Sequence, residues 1–152
     1  MVDIHDKKTR SRNMSAIKST DSKPEKLLRK ALFAKGYRFR KNVKTLPGTP
    51  DIVLAKYRTC ILVHGCFWHM HENCHLFKLP STRKEFWKAK LLENRSRDMT
   101  AQSELLAQGW KVIIVWECSL KGKNKLSLLD VTERLEEFLT VPRVHARALE
   151  IR

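Results

Sequence analysis

Three short apolar segments constrain the fold of this chain more than any other feature. They are "DIVLA" (residues 51–55), "TCILVH" (59–64) and "WKVIIVWEC" (110–118), and their composition suits buried strands. The segment between the second and the third, residues 82–108, has the composition of one long helix, which Gly109 ends. Since strands joined through a helix commonly run parallel, the pattern predicts an α/β sheet with helices on its faces.

Further elements are predicted around these strands. In "DSKPEKLLRKALFAKG" (residues 21–36), Ser22 and Glu25 fit a capping box and Pro24 fits the first turn of a helix. The stretch "YRFRKN" (37–42) alternates like a half-exposed strand, and "LSLLDVTERLEEFLT" (126–140) fits an amphipathic helix. The last dozen residues carry no strong signal. We therefore expect one domain over residues 21–152, preceded by an arm over residues 1–20.

The charge balance points to a polyanionic partner. The chain has 152 residues, with 31 Lys and Arg against 16 Asp and Glu, a net charge of +15. Nucleic acid is the first expectation, ahead of an anionic membrane surface, because no strongly basic amphipathic helix stands out. A generally basic proteome is the alternative explanation. The longest uniformly apolar run, "VIIVW" (112–116), is too short to cross a bilayer.

The N-terminal arm is polar and basic, unlike a signal peptide. We expect a cytoplasmic protein, associated with the nucleoid when it is on DNA, whose four cysteines are reduced or bind metal. The arm is expected to become ordered on a phosphate backbone, with a solubilising tail as the alternative. Its basic residues are Lys7, Lys8, Arg10, Arg12 and Lys18.

The segment "VHGCFWHMHENCH" (63–75) concentrates metal-ligand chemistry. Cys66, His71 and Cys74 can come from one loop, and Cys118, just past the apolar strand that ends near Trp116, is the natural fourth ligand. Three thiolates and one imidazole suit a structural Zn²⁺ site. His75 is an alternative to His71, and Cys60 is an alternative to Cys118, although Cys60 lies inside an apolar strand. Free thiols beside surface histidines are the alternative without metal.

Catalytic candidates surround this segment. His64 and His69 are left over from the zinc set, and either can be structural or catalytic. Asp51 follows a proline at the start of a strand, a frame similar to that of restriction-endonuclease-like nucleases. In that frame an acid and a lysine come from the next strand, but this chain has "LVHGC" there. A Mg²⁺ ion at Asp51 would then use a backbone carbonyl, that of Val63, and histidine would take the role of the lysine.

Several separated blocks resemble the very short patch repair endonucleases of bacteria. They are "HDKKTRSRNMSAI", "PEKLLRKAL", "LPGTPDIV", "VHGCFWHMHENCHLFKLPSTRKEFW" and "GWKVIIVWEC", in the order of that family and over roughly residues 3–140. The resemblance implies a restriction-endonuclease-like mixed sheet flanked by helices, with a structural Zn²⁺ and a catalytic Mg²⁺. It also implies an enzyme that nicks DNA 5′ to the thymine of a T:G mismatch left by deamination of 5-methylcytosine.

The resemblance further implies roles for individual residues. Asp51 would bind Mg²⁺, His69 would activate water, His64 would assist at the phosphate and Glu25 would position metal-bound water. The zinc site would be Cys66, His71, Cys74 and Cys118, in agreement with the spacing. Aromatic and arm residues would wedge into the bases or contact phosphates: Phe67, Trp68, Trp87, Met14, Lys7, Arg10 and Arg12.

Two questions stay open at this point, the role of Trp87 and the function of the whole chain. For Trp87, core packing competes with DNA contact, because Phe86 and Trp87 cannot face the same way. For the whole chain, the alternatives are a zinc-stabilised DNA-binding module without catalysis and a restriction-like nuclease with another target. A monomer is expected, since a single-strand nick needs one active site.

Overall fold

The structure is a computed structural model that describes residues 21–142 and 146–152. Its centre is a five-stranded mixed sheet in the order β1-β2-β3-β4-β5. The strands are β1 (Arg40–Lys41), β2 (Ile52–Leu54), β3 (Thr59–His64), β4 (Lys111–Trp116) and β5 (Ala148–Ile151). β1, β2 and β3 pair antiparallel, whereas β3, β4 and β5 pair parallel. The predicted mixed sheet flanked by helices is confirmed.

Four α-helices accompany the sheet in the described part of the chain. They are α1 (Lys23–Ala34), α2 (Lys84–Ala107), the one-turn α3 (Glu117–Leu120) and α4 (Leu128–Thr140). The Ser22 side chain caps α1 by accepting a hydrogen bond from the Glu25 N–H at 3.4 Å, as the capping-box pattern predicts. Within the described ranges, no helix combines the length and the apolar composition that a bilayer crossing needs.

The two faces of the sheet carry separate hydrophobic clusters. Ile61 and Val63 point to one face, where they pack with Leu28 of α1 and Leu135 of α4. The residues that alternate with these along β3, Cys60 and Leu62, point to the other face and pack with Leu105 of α2. This second face also receives Cys66 and Cys118. The alternation of a strand therefore determines which side chains of β3 meet α2.

Several element boundaries differ from the sequence-based expectation. Only Arg40 and Lys41 of "YRFRKN" form a strand, because the aromatic residues Tyr37 and Phe39 pack against the α1 and α4 side of the core before the pairing with β2 begins. β4 ends at Trp116, and Cys118 lies in α3. Helix α2 begins at Lys84 rather than at residue 82.

The C-terminal strand β5 was missed by the sequence analysis. The exposed Ala148 and Glu150 alternate with Leu149 and Ile151, which pack against the core, but four residues are too few to give a strong signal. Pairing with β4 stabilises this segment, and a single strand has no local signal for such pairing.

Candidate active site and metal centre

A cavity of about 480 Å³ lies where β2 and β3 meet α1, α2 and the loop between β1 and β2. It gathers Asp51, Val63, His64, His69 and Glu25, all of which the sequence analysis selected. It also includes residues that the sequence analysis did not select, among them Asp98 and Lys44. The cavity therefore collects acids, imidazoles and a cation from four separate parts of the chain.

Asp51 stands at the start of β2, half-buried on the α2 side of the sheet. Its Oδ2 accepts a hydrogen bond from the Val63 N–H at 2.6 Å. Burial raises the pKa of Asp51 from 3.8 to about 7, and the neighbouring Glu25 carboxylate adds to the rise. The Val63 N–H opposes it. A cation beside these two carboxylates would favour their charged forms, so this pair fits a hard divalent ion.

Glu25 is buried at the first turn of α1, where the capping box fixes it. One carboxylate oxygen accepts from the Asp21 N–H at 3.0 Å and lies 3.6 Å from the Arg29 guanidinium. Arg29 also contacts Asp21 at 2.6 Å. The capping box that begins the helix thus also holds an acid at the cavity wall.

His69 forms an acid–imidazole pair with Asp98. Its Nδ1 lies 2.5 Å from Asp98 Oδ2, and both side chains are about three-quarters covered. A carboxylate accepts a hydrogen bond, so Nδ1 carries the proton in the neutral ring and Nε2 is left as a base. Asp98 lies on α2, 29 residues from His69, and no local pattern connects the two.

His64 ends β3 and is buried beneath His69. The two rings are stacked, with centroids 3.8 Å apart and planes within 3°. Burial, together with the nearby His69, lowers the pKa of His64 to about 3. His64 is therefore a neutral ring, which donates a hydrogen bond from one nitrogen and accepts a hydrogen bond at the other.

A second group of side chains gathers next to this cavity. The sulfur atoms of Cys66, Cys74 and Cys118 and a nitrogen of His71 all lie within 4.8 Å of one another. His71 Nδ1 is 3.6 Å from Cys118 Sγ, and His71 Nε2 is buried without a partner in the described structure. Burial raises the pKa of Cys66 and of Cys118, so thiolates here need a cation. Three thiols and one imidazole in this arrangement fit Zn²⁺.

The two alternative zinc ligands lie elsewhere. Cys60 is fully buried in β3 within the second hydrophobic cluster. His75 is exposed and contacts Gly122, where a Cβ atom would come within 2.8 Å of His75 Nε2. Neither belongs to the four-residue group.

Aromatic side chains of the loop between Cys66 and His71 form a half-buried group with Trp87 of α2. Phe67 and Trp68 contact each other edge to face at 5.1 Å, and Trp87 lies 5.7 Å and 6.0 Å from their ring centroids. Trp87 belongs to neither hydrophobic core cluster, and Phe86 is 45% exposed with Arg83 over its ring. Phe86 and Trp87 of "EFW" therefore both lie in or beside the half-buried aromatic group, and neither lies in the core.

Comparison with known proteins decides the family. The family model described as DNA mismatch endonuclease Vsr matches residues 2–76. DNA mismatch endonuclease Vsr of Escherichia coli K12 is 50% identical over 139 residues, which cover 91% of this chain and 88% of that relative. This chain belongs to the Vsr family of DNA mismatch endonucleases.

Other relatives agree with this assignment. Type II nicking enzyme V.NmeAIP of Neisseria meningitidis is 47% identical, over 81% of this chain and 87% of its own length. Type II nicking enzyme V.XorIIP of Xanthomonas oryzae is 44% identical, over 74% and 82% respectively. The resemblance seen in the sequence is confirmed, and the chain is a DNA endonuclease, a hydrolase of phosphodiester bonds.

Part of the predicted Vsr interface lies outside the described residues. This applies to the basic arm as a whole and to Lys7, Arg10, Arg12 and Met14 in particular. The remaining predicted residues fall into the cavity, the cysteine–histidine group or the aromatic group. Members of all three groups alternate within residues 63–75, whereas Glu25, Asp51, Trp87 and Cys118 come from other segments.

Proposed function

We propose that this Vsr-family endonuclease nicks the DNA strand 5′ to the thymine of a T:G mismatch at deaminated 5-methylcytosine sites. The reaction would be a Mg²⁺-dependent hydrolysis that begins very short patch repair. The observation that carries the proposal is the cavity in which a carboxylate pair, Asp51 and Glu25, lies beside the His69–Asp98 pair. Carboxylates for a hard ion and a base for water are the two parts that metal-dependent phosphodiester hydrolysis requires.

His69 is assigned as the general base. Asp98 holds Nδ1–H, so Nε2 accepts a proton from the attacking water, and the resulting imidazolium is stabilised by the same carboxylate. His64 is neutral in its buried position and is assigned a hydrogen bond to an oxygen of the phosphate. The stacked ring of His64 also restricts the ring of His69 to one plane.

Mg²⁺ is proposed to be held by Asp51 and the Val63 carbonyl, with Glu25 positioning its water ligands. When bound, the ion would polarise the phosphate and lower the pKa of its water. The Asp51 side chain is oriented for this role by the Val63 N–H, and Glu25 is oriented by its capping contacts. The buried, mutually repelling carboxylates support a site made for a cation.

Zn²⁺ is proposed to bind Cys66, His71, Cys74 and Cys118 and to hold the loop. Four protein ligands leave no open position, so this ion would have a structural role. Its loop carries His69, Phe67 and Trp68, and the backbone N–H of His71 donates to the Cys66 carbonyl at 2.9 Å. Rigid ligands on both sides of Phe67 and Trp68 would present the two rings outward.

Phe67, Trp68 and Trp87 are proposed to enter the base stack beside the mismatch, joined by Met14 of the arm. Unstacking is cheapest at a mispaired base, which would contribute to selectivity. Lys7, Arg10 and Arg12 of the arm would contact phosphates. We also propose the restriction-endonuclease-like fold, one domain over residues 21–152, an arm that orders on DNA, and a monomer.

Asp98→Asn is expected to lower the single-turnover nicking rate by about 10²-fold, because asparagine can present an amide to Nδ1 and favour the wrong tautomer of His69. DNA affinity is expected to stay within about twofold of the wild type, since Asp98 contacts His69 rather than DNA. Arg97→Gln, at the neighbouring exposed position, is the matched control on α2. If Asp98→Asn nicks at the wild-type rate, Asp98 does not assist His69 as the general base.

The function itself is tested on duplexes that differ at one base pair. The protein is incubated with T:G, C:G and T:A duplexes in CCWGG-type and unrelated contexts, with Mg²⁺ or with EDTA. We expect a Mg²⁺-dependent nick 5′ to the mismatched thymine, on that strand alone. Nicking of matched duplexes at a fixed sequence would instead favour the alternative of a nuclease with another target. A DNA-binding module without catalysis does not agree with membership of an endonuclease family.

A further inference from the structure

The cavity has an excess of acidic groups for a site that must accept a phosphodiester. Glu25, Asp51 and Asp98 all line it. Lys44 is the one lysine or arginine among its described lining residues. Negative charges within several ångström of one another repel strongly where water is partly excluded. The substrate therefore needs a positive charge from the protein in addition to any bound ion.

The nearby Arg29 does not meet this need. It is 9% exposed, does not line the cavity, and is engaged by Asp21 at 2.6 Å and Glu25 at 3.6 Å. Lys44, in contrast, is exposed and forms no hydrogen bond or ion pair with any residue that the structure describes. Its ammonium group is thus free to bind a ligand in the cavity.

The backbone that carries Lys44 is anchored. The preceding residue, Val43, is buried, and its N–H donates to the Pro50 carbonyl at 3.1 Å. Further along the same loop, Gly48 lies against Ala101 of α2, where an added Cβ would come within 2.9 Å of the Ala101 Cβ. The loop is therefore held against α2, and only the flexible lysine stem has to move when a ligand binds.

We propose that Lys44 is a phosphate-binding residue that contacts a non-bridging oxygen of the scissile phosphate. The proposal rests on the proposed function, because it takes a DNA phosphodiester as the group that enters this cavity. Lys44 would offset the charge of the three carboxylates and orient the phosphate toward His69. The contact would be to phosphate alone, so it would add rate and affinity without selecting a base.

The test compares Lys44→Gln and Lys44→Arg with the wild type on a T:G duplex. Lys44→Gln is expected to lower the single-turnover rate about tenfold, because one charge-assisted hydrogen bond to the phosphate is lost. The slope of the logarithm of the binding constant against the logarithm of the salt concentration is expected to fall by about one. Lys44→Arg is expected to retain most of the rate, since it retains the charge. Lys123→Gln, an exposed lysine outside the cavity, controls for the general loss of charge.

A second measurement separates this contact from the proposed function. The scissile phosphate is replaced by an uncharged methylphosphonate, and binding is measured in Ca²⁺ without turnover. The wild type and Lys123→Gln are expected to lose affinity for the neutral linkage, and Lys44→Gln is expected to lose clearly less. If Lys44→Gln distinguishes the phosphodiester from the methylphosphonate as strongly as the wild type does, Lys44 does not contact the scissile phosphate. This comparison decides the role of Lys44 even if no mismatch is nicked.

Discussion

Asp51→Asn is expected to lower the single-turnover nicking rate by about 10³-fold or more, the largest loss predicted for this site. Asparagine keeps the shape of the side chain and can still accept the hydrogen bond of the Val63 N–H. It lacks the negative charge that a hard divalent ion requires. The rate is measured on a T:G duplex at saturating enzyme, and DNA affinity is measured separately in Ca²⁺.

Binding of the duplex is expected to persist in Asp51→Asn, because the DNA contacts proposed for the aromatic group do not involve this carboxylate. Asp130→Asn, an exposed acid on α4, is the control and should nick at the wild-type rate. Loss of binding together with loss of nicking would mean that Asp51 has a structural role instead.

The same variant is expected to be more stable than the wild type at high pH in Mg²⁺-free buffer. Burial raises the pKa of Asp51 to about 7, so the native state holds this proton more tightly than the unfolded chain does. Folding is therefore penalised as the pH rises from about 4 to about 7, and the penalty is complete above pH 7. Asparagine removes this penalty, which amounts to about 4 kcal/mol at pH 8, at about 1.4 kcal/mol for each pKa unit between the unfolded and the native state.

Urea unfolding at pH 8 and at pH 4 measures this difference. The free energy of unfolding of Asp51→Asn should exceed that of the wild type at pH 8, and the two should converge at pH 4. An advantage of the same size at both pH values would show that packing, rather than the charge of Asp51, produces it.

Cys118→Ser is expected to lose bound zinc and to lower the free energy of unfolding by about 3 kcal/mol or more. Cys118 lies in α3 with its sulfur within 4.8 Å of the ligand atoms of the 66–74 loop, and serine is a much poorer ligand for Zn²⁺ than a thiolate. The three remaining ligands would hold the ion and the loop weakly. Nicking should be lost as well, because His69 lies on that loop.

Cys60→Ala is the matched control, since Cys60 is a buried cysteine that lies outside the ligand group. It should retain zinc and lose only about 1 kcal/mol through the small cavity that it leaves. Zinc content is measured by elemental analysis of the purified proteins, and stability is measured by urea unfolding. If the Cys118→Ser protein has the zinc content of the wild type, Cys118 is not the fourth zinc ligand.

The sequence alone determined the elements whose signals are local. Apolar runs predicted β2, β3 and β4, the Ser22–Glu25 pattern predicted the start of α1, and residues 63–75 contained three of the four clustered zinc candidates. Spacing within one loop limits how far apart its ligands can lie, so this cluster could be anticipated. Its fourth member, Cys118, followed from the rule that neighbouring strand ends meet at one edge of a sheet.

Only the tertiary structure decided the partners that come from other elements. Asp98 is one acid among many charged residues of α2, and it becomes the partner of His69 because α2 packs on the second face of the sheet. Lys44 and β5 likewise acquire their positions from packing and pairing across the chain. The physical reason is that periodicity records which face of an element is apolar, whereas the distance between two side chains depends on how those faces are brought together.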